Sequence, residues 1–169
     1  MTGYTTENWG DLFVAAAGAA AALSGLIFVA VSVNIGPVLE ADKRSGGDFL
    51  TGRALEALVA LLNVLVISIV GLTPTIPRGV FAAFILVVAA ESAISPVRAL
   101  RASRGQSSLR RAALLRLVTA LTLTAGLAVA GITLAAGHGG GLFWLPAAFV
   151  VAVFVAAVNA WILLVEVVR

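Results

Sequence analysis

The chain has no cysteine. Disulfides, thiolate catalysis and cysteine-ligated metal sites are therefore excluded. Charge is scarce too. Asp, Glu, Lys and Arg make up 11% of the 169 residues, where a soluble domain carries about a quarter. Hydrophobic residues make up 61% and mean hydropathy is +1.10. Soluble and intrinsically disordered classes both fail on these values. The one histidine, His138, sits in a glycine turn with no carboxylate near it in sequence. A lone histidine builds no metal site. It reads as a solvated side chain, with a pH-sensing role as the alternative. No phosphate loop, dinucleotide fingerprint, zinc-protease motif or serine elbow is present, so no enzyme and no cofactor are expected.

What the sequence has in abundance is long uncharged runs. Leu12 to Ile35 contain no charged residue. At about 1.5 Å per residue this run is long enough to cross a hydrocarbon core of about 30 Å. Its small residues Ala15, Gly18, Ala22, Gly25 and Ser32 share one stripe. Such stripes let helices approach closely in lipid. The expectation is that this helix forms the tightly packed centre of a bundle or of an oligomer. Before it, the tail carries Glu7 and Asp11 and no lysine or arginine. A cleavable signal peptide wants a positive start, so none is expected. Trp9 suits the membrane interface.

Gly36-Pro37 are expected to end this helix. A polar loop over 38–53 should follow, with Asp48 or Thr51 capping the next helix. Further spans are read at about 54–72, 79–97, 112–136 and 142–165, after a first at 12–35. The link around Thr73–Arg78 is a hairpin turn. Ser107 or Ser108 is expected to cap the fourth span. Pro146 fits the first turn of the fifth, where a missing N–H does no harm. The fold class is all-α: one polytopic bundle of five transmembrane helices, a single domain over 1–169.

Five spans put the termini on opposite sides. Ten of the eleven basic residues then fall on one side, and Arg78 alone on the other. By the positive-inside rule the N-terminus faces out and the C-terminus in, across the plasma membrane. Topology accounts for the basic residues, so nucleic acid is not an expected partner. The arginine-rich stretch holds Arg98, Arg101, Arg104, Arg110, Arg111 and Arg116. It suits anionic headgroups on the cytoplasmic side. Docking of a cytoplasmic partner is the other reading. Arg98, Arg101 and Arg104 are three apart, so the third span is expected to continue as a basic helix. No internal repeat is visible, which argues against an inverted-repeat transporter.

Glu91 is the sharpest candidate for chemistry. It falls well inside the third span, where an ionised carboxylate costs several kcal/mol by order of magnitude. Ser95 lies one turn on, and Pro96 frees the carbonyl of Ser92. Together these residues predict a polar notch, read either as an ion or proton site or as a hydrogen-bonded carboxyl that locks helices together. Asn63 and Asn159 lie inside spans, each two turns from a glutamate on its own helix face, Glu56 and Glu166. With Asn34 they gather in the half of the membrane nearer the arginines. This asymmetry fits an inward-facing vestibule, or a set of interhelical hydrogen bonds. The stripe Thr119, Thr122, Gly126, Ala130, Thr133 either lines a hydrated path or packs, its threonines bonding their own helix.

Two stretches, Phe13-Val14-Ala15 through Val33-Asn34 and Gly52-Arg53-Ala54-Leu55-Glu56, together resemble small actinobacterial multi-pass membrane proteins. Some of these carry the label "modulator of FtsH protease". The resemblance covers about the first 75 residues, and the label implies a regulatory membrane-protease partner. Two functional classes follow. One is a homo-oligomeric channel or small-ion pathway using Glu91. The other is a non-conducting accessory protein that modulates another membrane complex.

Overall fold

Uncharged runs of this length satisfy their backbone hydrogen bonds only as helices when no water is at hand. The computed structural model follows that rule. It describes the backbone of residues 3–45, 49–102 and 110–168, with side chains for 3–40, 42–43, 51–94, 118 and 120–161. Among them all regular structure is helical: α1 (Gly10–Val33), α2 (Ile35–Ser45), α3 (Phe49–Gly71), α4 (Arg78–Ala102), α5 (Arg110–Ala136) and α6 (Trp144–Val168), the last preceded by a 3-10 turn, Gly141–Phe143. Gly10–Val33, Thr51–Gly71 and Gly141–Trp161 are each long and apolar enough to cross a membrane, and Ala120–Ala136 is a shorter apolar stretch. The architecture fits a helical membrane bundle.

The first boundary differs from expectation. The helix stops at Val33, Asn34 leaves helical geometry (φ −106°, ψ 20°), and α2 then runs straight through Gly36-Pro37. Pro37 explains both facts. Its ring clashes with a helical carbonyl four residues back, which is that of Val33, so the helix breaks there. Inside the first turn of a new helix its missing N–H does no harm. The expected polar loop over 38–53 is thus mostly helix. Asp42 is buried and its Oδ2 accepts from the backbone N–H (3.1 Å) and the hydroxyl (2.6 Å) of Thr51. The N-terminus of α3 is therefore capped from α2, while Thr51 itself lies in the first turn rather than at the cap. Asp48, Ser107 and Ser108 lie outside the described residues.

The helices α3, α4, α5 and α6 form a ring, each packed on the next, with the α3–α4 seam the looser side. Inside it sit Leu61, Ile67, Phe81, Ile85, Leu127, Leu134, Leu145 and Phe149, all buried. Small residues set the close approaches. A Cβ on Gly131 would lie 2.7 Å from Leu86, and one on Gly126 3.2 Å from Ala148.

Helix α1 packs outside this ring, mainly on α3. Its seam is Phe13, Ala20 and Ile27, one residue per seven and all buried. Phe13 stands edge-on to Phe81 at 6.0 Å and lies over Gly71, where a Cβ would come within 2.7 Å of its ring. Of the two expectations for the small-residue stripe, the centre of the single-chain bundle is therefore corrected, and the centre of an oligomer is the one left. Ala15, Gly18, Ala22, Gly25 and Ser32 are all exposed on a single chain, and a Cβ on Gly18 or Gly25 would meet open space. Large side chains supply more dispersion contacts per residue, so the Phe13/Ile27 edge holds α1 to α3 and turns the stripe outward.

At the N-terminal end the chain ties its own start to the last turn. Leu142 N–H donates to Gly3 O at 2.7 Å, Gly140 N–H to the Tyr4 hydroxyl at 3.1 Å, and Gly141 N–H to Thr133 Oγ1 at 3.1 Å. Gly137, Gly139, Gly140 and Gly141 all have positive φ, a backbone that other residues adopt only under strain.

Candidate functional site at the α3–α4 seam

Asn63 and Glu91 meet across the looser side of the ring. Asn63 Nδ2 donates to Glu91 Oε2 at 3.2 Å and to Ser92 Oγ at 2.9 Å. Ser92 in turn donates to the Val88 carbonyl at 2.8 Å. Asn63 and Ser92 are part-buried, while Glu91 is exposed on the outside of the single chain. Of the notch predicted in α4, the side chains of Ser95 and Pro96 lie outside the described residues, while Glu91 and Ser92 share a donor from α3, Asn63. Asn63 pairs across helices with Glu91, two turns' separation from Glu56 notwithstanding. The reason is reach: short polar side chains at the α3–α4 seam face each other directly, whereas residues two turns apart are roughly 10 Å apart along the axis.

A second polar cluster lies nearer the arginine-rich end. Arg53 is 8% exposed and Asn159 6%, and Arg53 Nη2 donates to Asn159 Oδ1 at 3.0 Å. Sequence reading gave Arg53 to a loop and set Asn159 on one helix face with Glu166, with interhelical hydrogen bonding as one of its two readings. The structure places Arg53 one turn inside α3, facing α6. The signal that pointed to it was Asn159 itself, a buried acceptor in an apolar span that needs a donor from another helix. Buried Asp42 lies at the same end and ties α2 to the first turn of α3. Glu56 is part-buried there.

Asn34 keeps to its own helix, Nδ2 donating to the Ala30 carbonyl at 2.8 Å. Thr122 donates likewise to Val118 O at 2.8 Å, and Thr133 to Val129 O at 2.6 Å while its Oγ1 accepts from Gly141 N–H. Ala130 of the same stripe is buried and Gly126 sits under Ala148 of α6. Among the described residues of the stripe, Gly126 and Ala130 therefore pack, and Thr122 and Thr133 donate to carbonyls of their own helix. Helix α4 continues to Ala102, as the arginine spacing predicted. The side chains of Ser95, Thr119, Glu166, Arg98, Arg101, Arg104, Arg110, Arg111 and Arg116 lie outside those described. His138 is exposed in its turn. Among the described residues no three His, Asp or Glu side chains come together to hold a metal ion.

The seam thus joins one carboxylate and one hydroxyl of α4 through a single amide of α3. Compared with known proteins, the chain matches no family model, no curated protein and no solved structure.

Proposed function

We propose that the chain is a five-span plasma-membrane protein, N-terminus out and C-terminus in, that assembles into a closed homo-oligomer and passes a proton or small cation along a path at Glu91. One observation carries the reading. Glu91 is exposed on the outside of the single chain while Asn63 from the neighbouring helix donates to it. A carboxylate turned toward lipid is expensive. A neighbouring subunit or a file of water offers the alternative surroundings, and both place Glu91 at a subunit boundary. The five long helices and the one-sided distribution of lysine and arginine support the topology. The outward small-residue face of α1 supports self-association of the kind small stripes allow. The arginine-rich stretch then faces the cytoplasm, where anionic headgroups are its natural contacts.

The test is proton and ion flux into liposomes that hold the purified oligomer, beside a Glu91→Gln variant. Wild-type flux that falls at least tenfold in the variant supports the path. If neither protein conducts while both stay folded and oligomeric, the path is wrong. The accessory-protein reading then takes its place, and a bound partner should be lost when the arginines between 98 and 116 are neutralised.

A further inference from the structure

Helix α2 does not carry on in the direction of α1. Phe13 of α1 lies over Gly71 of α3, and the two helices run antiparallel from that contact, with Ala20 and Ile27 buried along the seam. Twenty residues separate Phe13 from Val33, and twenty separate Gly71 from Thr51. Both stretches cover roughly 30 Å at 1.5 Å per residue, so Thr51 stands level with the end of α1. The Thr51 hydroxyl donates to Asp42 Oδ2 at 2.6 Å, and Asp42 is nine residues beyond Val33. Continued along the axis of α1, those residues would carry Asp42 roughly 13 Å past that level. Helix α2 therefore lies across the end of the bundle, packed on α3 and touching α6.

The depth of that end is set by α1. Its uncharged run, Leu12 to Ile35, is roughly 36 Å long at 1.5 Å per residue, and a hydrocarbon core is about 30 Å thick. The last residues of the run thus stand at the boundary between acyl chains and headgroups. Around α2 the side chains sort by direction. Val38 and Asp42 are buried and face the bundle. Ile35 and Leu39, one turn apart on the adjoining strip, are each 47% exposed. Lys43 follows roughly 40° further round and Glu40 roughly 60° beyond it, at about 100° per residue, and both are exposed. An apolar strip, then a lysine, then an acid turned away is the order of a helix lying in a membrane surface. The strip sinks into the boundary, and the lysine stem carries its charge up to the headgroups.

We propose that α2 is a membrane-surface helix, with the edge of Ile35 and Leu39 seated in the acyl–headgroup boundary of the leaflet at the arginine-rich end. The proposal rests on α1 being a span and is independent of the path at Glu91. The chain has no cysteine, so single introduced cysteines report without background. Nitroxide labels at Phe28→Cys, Leu39→Cys and Glu40→Cys, in liposomes of phosphatidylethanolamine and phosphatidylglycerol, are challenged with oxygen, which concentrates in lipid, and with a nickel chelate, which stays in water. Phe28, 66% exposed and five residues before the end of α1, marks lipid. The expected result is that Leu39 follows Phe28, with an oxygen-to-nickel collision ratio several-fold above that of Glu40. Ile35→Cys should repeat it one turn away. Equal ratios at 39 and 40, with Phe28 in lipid, put the edge in water and overturn the proposal while α1 stays a span. A nickel-exposed Phe28 removes the span and the proposal together. Labels at 35 and 39 shielded from both probes mean that a protein surface, a second copy or another chain, covers the edge, and this too overturns it.

Discussion

Arg53 and Asn159 are 106 residues apart in the chain, and a 3.0 Å hydrogen bond joins them inside the bundle. The bond fixes the register of α3 against α6 at the end nearer the arginines. Arg53 carries a guanidinium and is only 8% exposed. Bonds to a charged group contribute about 1.5–3 kcal/mol each.

Asn159→Leu should therefore destabilise the fold by about 2–3 kcal/mol, with Asn159→Gln recovering part of it. Unfolding in graded denaturing detergent measures both. A stability for Asn159→Leu equal to wild type would show that the bond holds nothing.

The Asp42 cap makes a second prediction. Its carboxylate takes two donors from Thr51, and side-chain caps contribute about 0.5–2 kcal/mol. Asp42→Ala should release α2 from the bundle while α3 stays folded beyond its first turn. Amide hydrogen exchange should then rise about tenfold over 35–45, and over the first turn of α3, and stay unchanged in α5 and α6. Exchange that stays slow over 35–45 would mean that Val38, buried beside it, holds α2 alone.

How much of this was legible beforehand depends on the distance over which each signal acts. Helix existence is a local matter of hydropathy and length, and the five long helices were read to within a few residues at most ends. Pro146 sits in the first turn of α6, as its missing N–H suggested. The α2 helix was missed because its eleven residues are polar on one side and carry Gly36-Pro37, a pair that signals a stop. The partners of Asn63 and Asn159 were missed for a different reason. Spacing along one helix reveals only candidates on that helix, and both side chains turned to another. The stripe on α1 was legible as a face, but the sequence does not say which of two faces takes the neighbour. Phe13 and Ile27 decided that by volume.

That choice is testable at Gly71. Its absent Cβ leaves room for the Phe13 ring, at 2.7 Å from where a methyl would begin. Gly71→Val should push α1 off α3 and destabilise by about 1–3 kcal/mol. In a Phe13→Ala background the same substitution should be much milder, because the clashing atoms are gone. The coupling between the two positions, read from a double-mutant cycle in the detergent assay, should reach at least about 1 kcal/mol. Additive losses would place Phe13 elsewhere.

The last prediction concerns Asn63, which donates to both Glu91 and Ser92. Interhelical hydrogen bonds of this kind contribute about 0.6–1 kcal/mol in membrane proteins, so Asn63→Leu should leave the bundle folded and only slightly less stable. Its effect on the proposed path should be larger. Without the amide, Glu91 loses its one donor from α3, and the carboxylate is free to swing along the seam. Flux should fall about tenfold, which corresponds to roughly 1.4 kcal/mol on the barrier. Asn63→Asp should behave differently, because a second carboxylate at hydrogen-bond distance from Glu91 raises the negative charge of the seam and should favour cations over protons. Measuring proton and potassium flux side by side for wild type, Asn63→Leu and Asn63→Asp separates positioning from charge. A stable Asn63→Leu oligomer with wild-type flux would mean that the amide serves only to join α3 to α4, and that Glu91 needs no help in whatever it does.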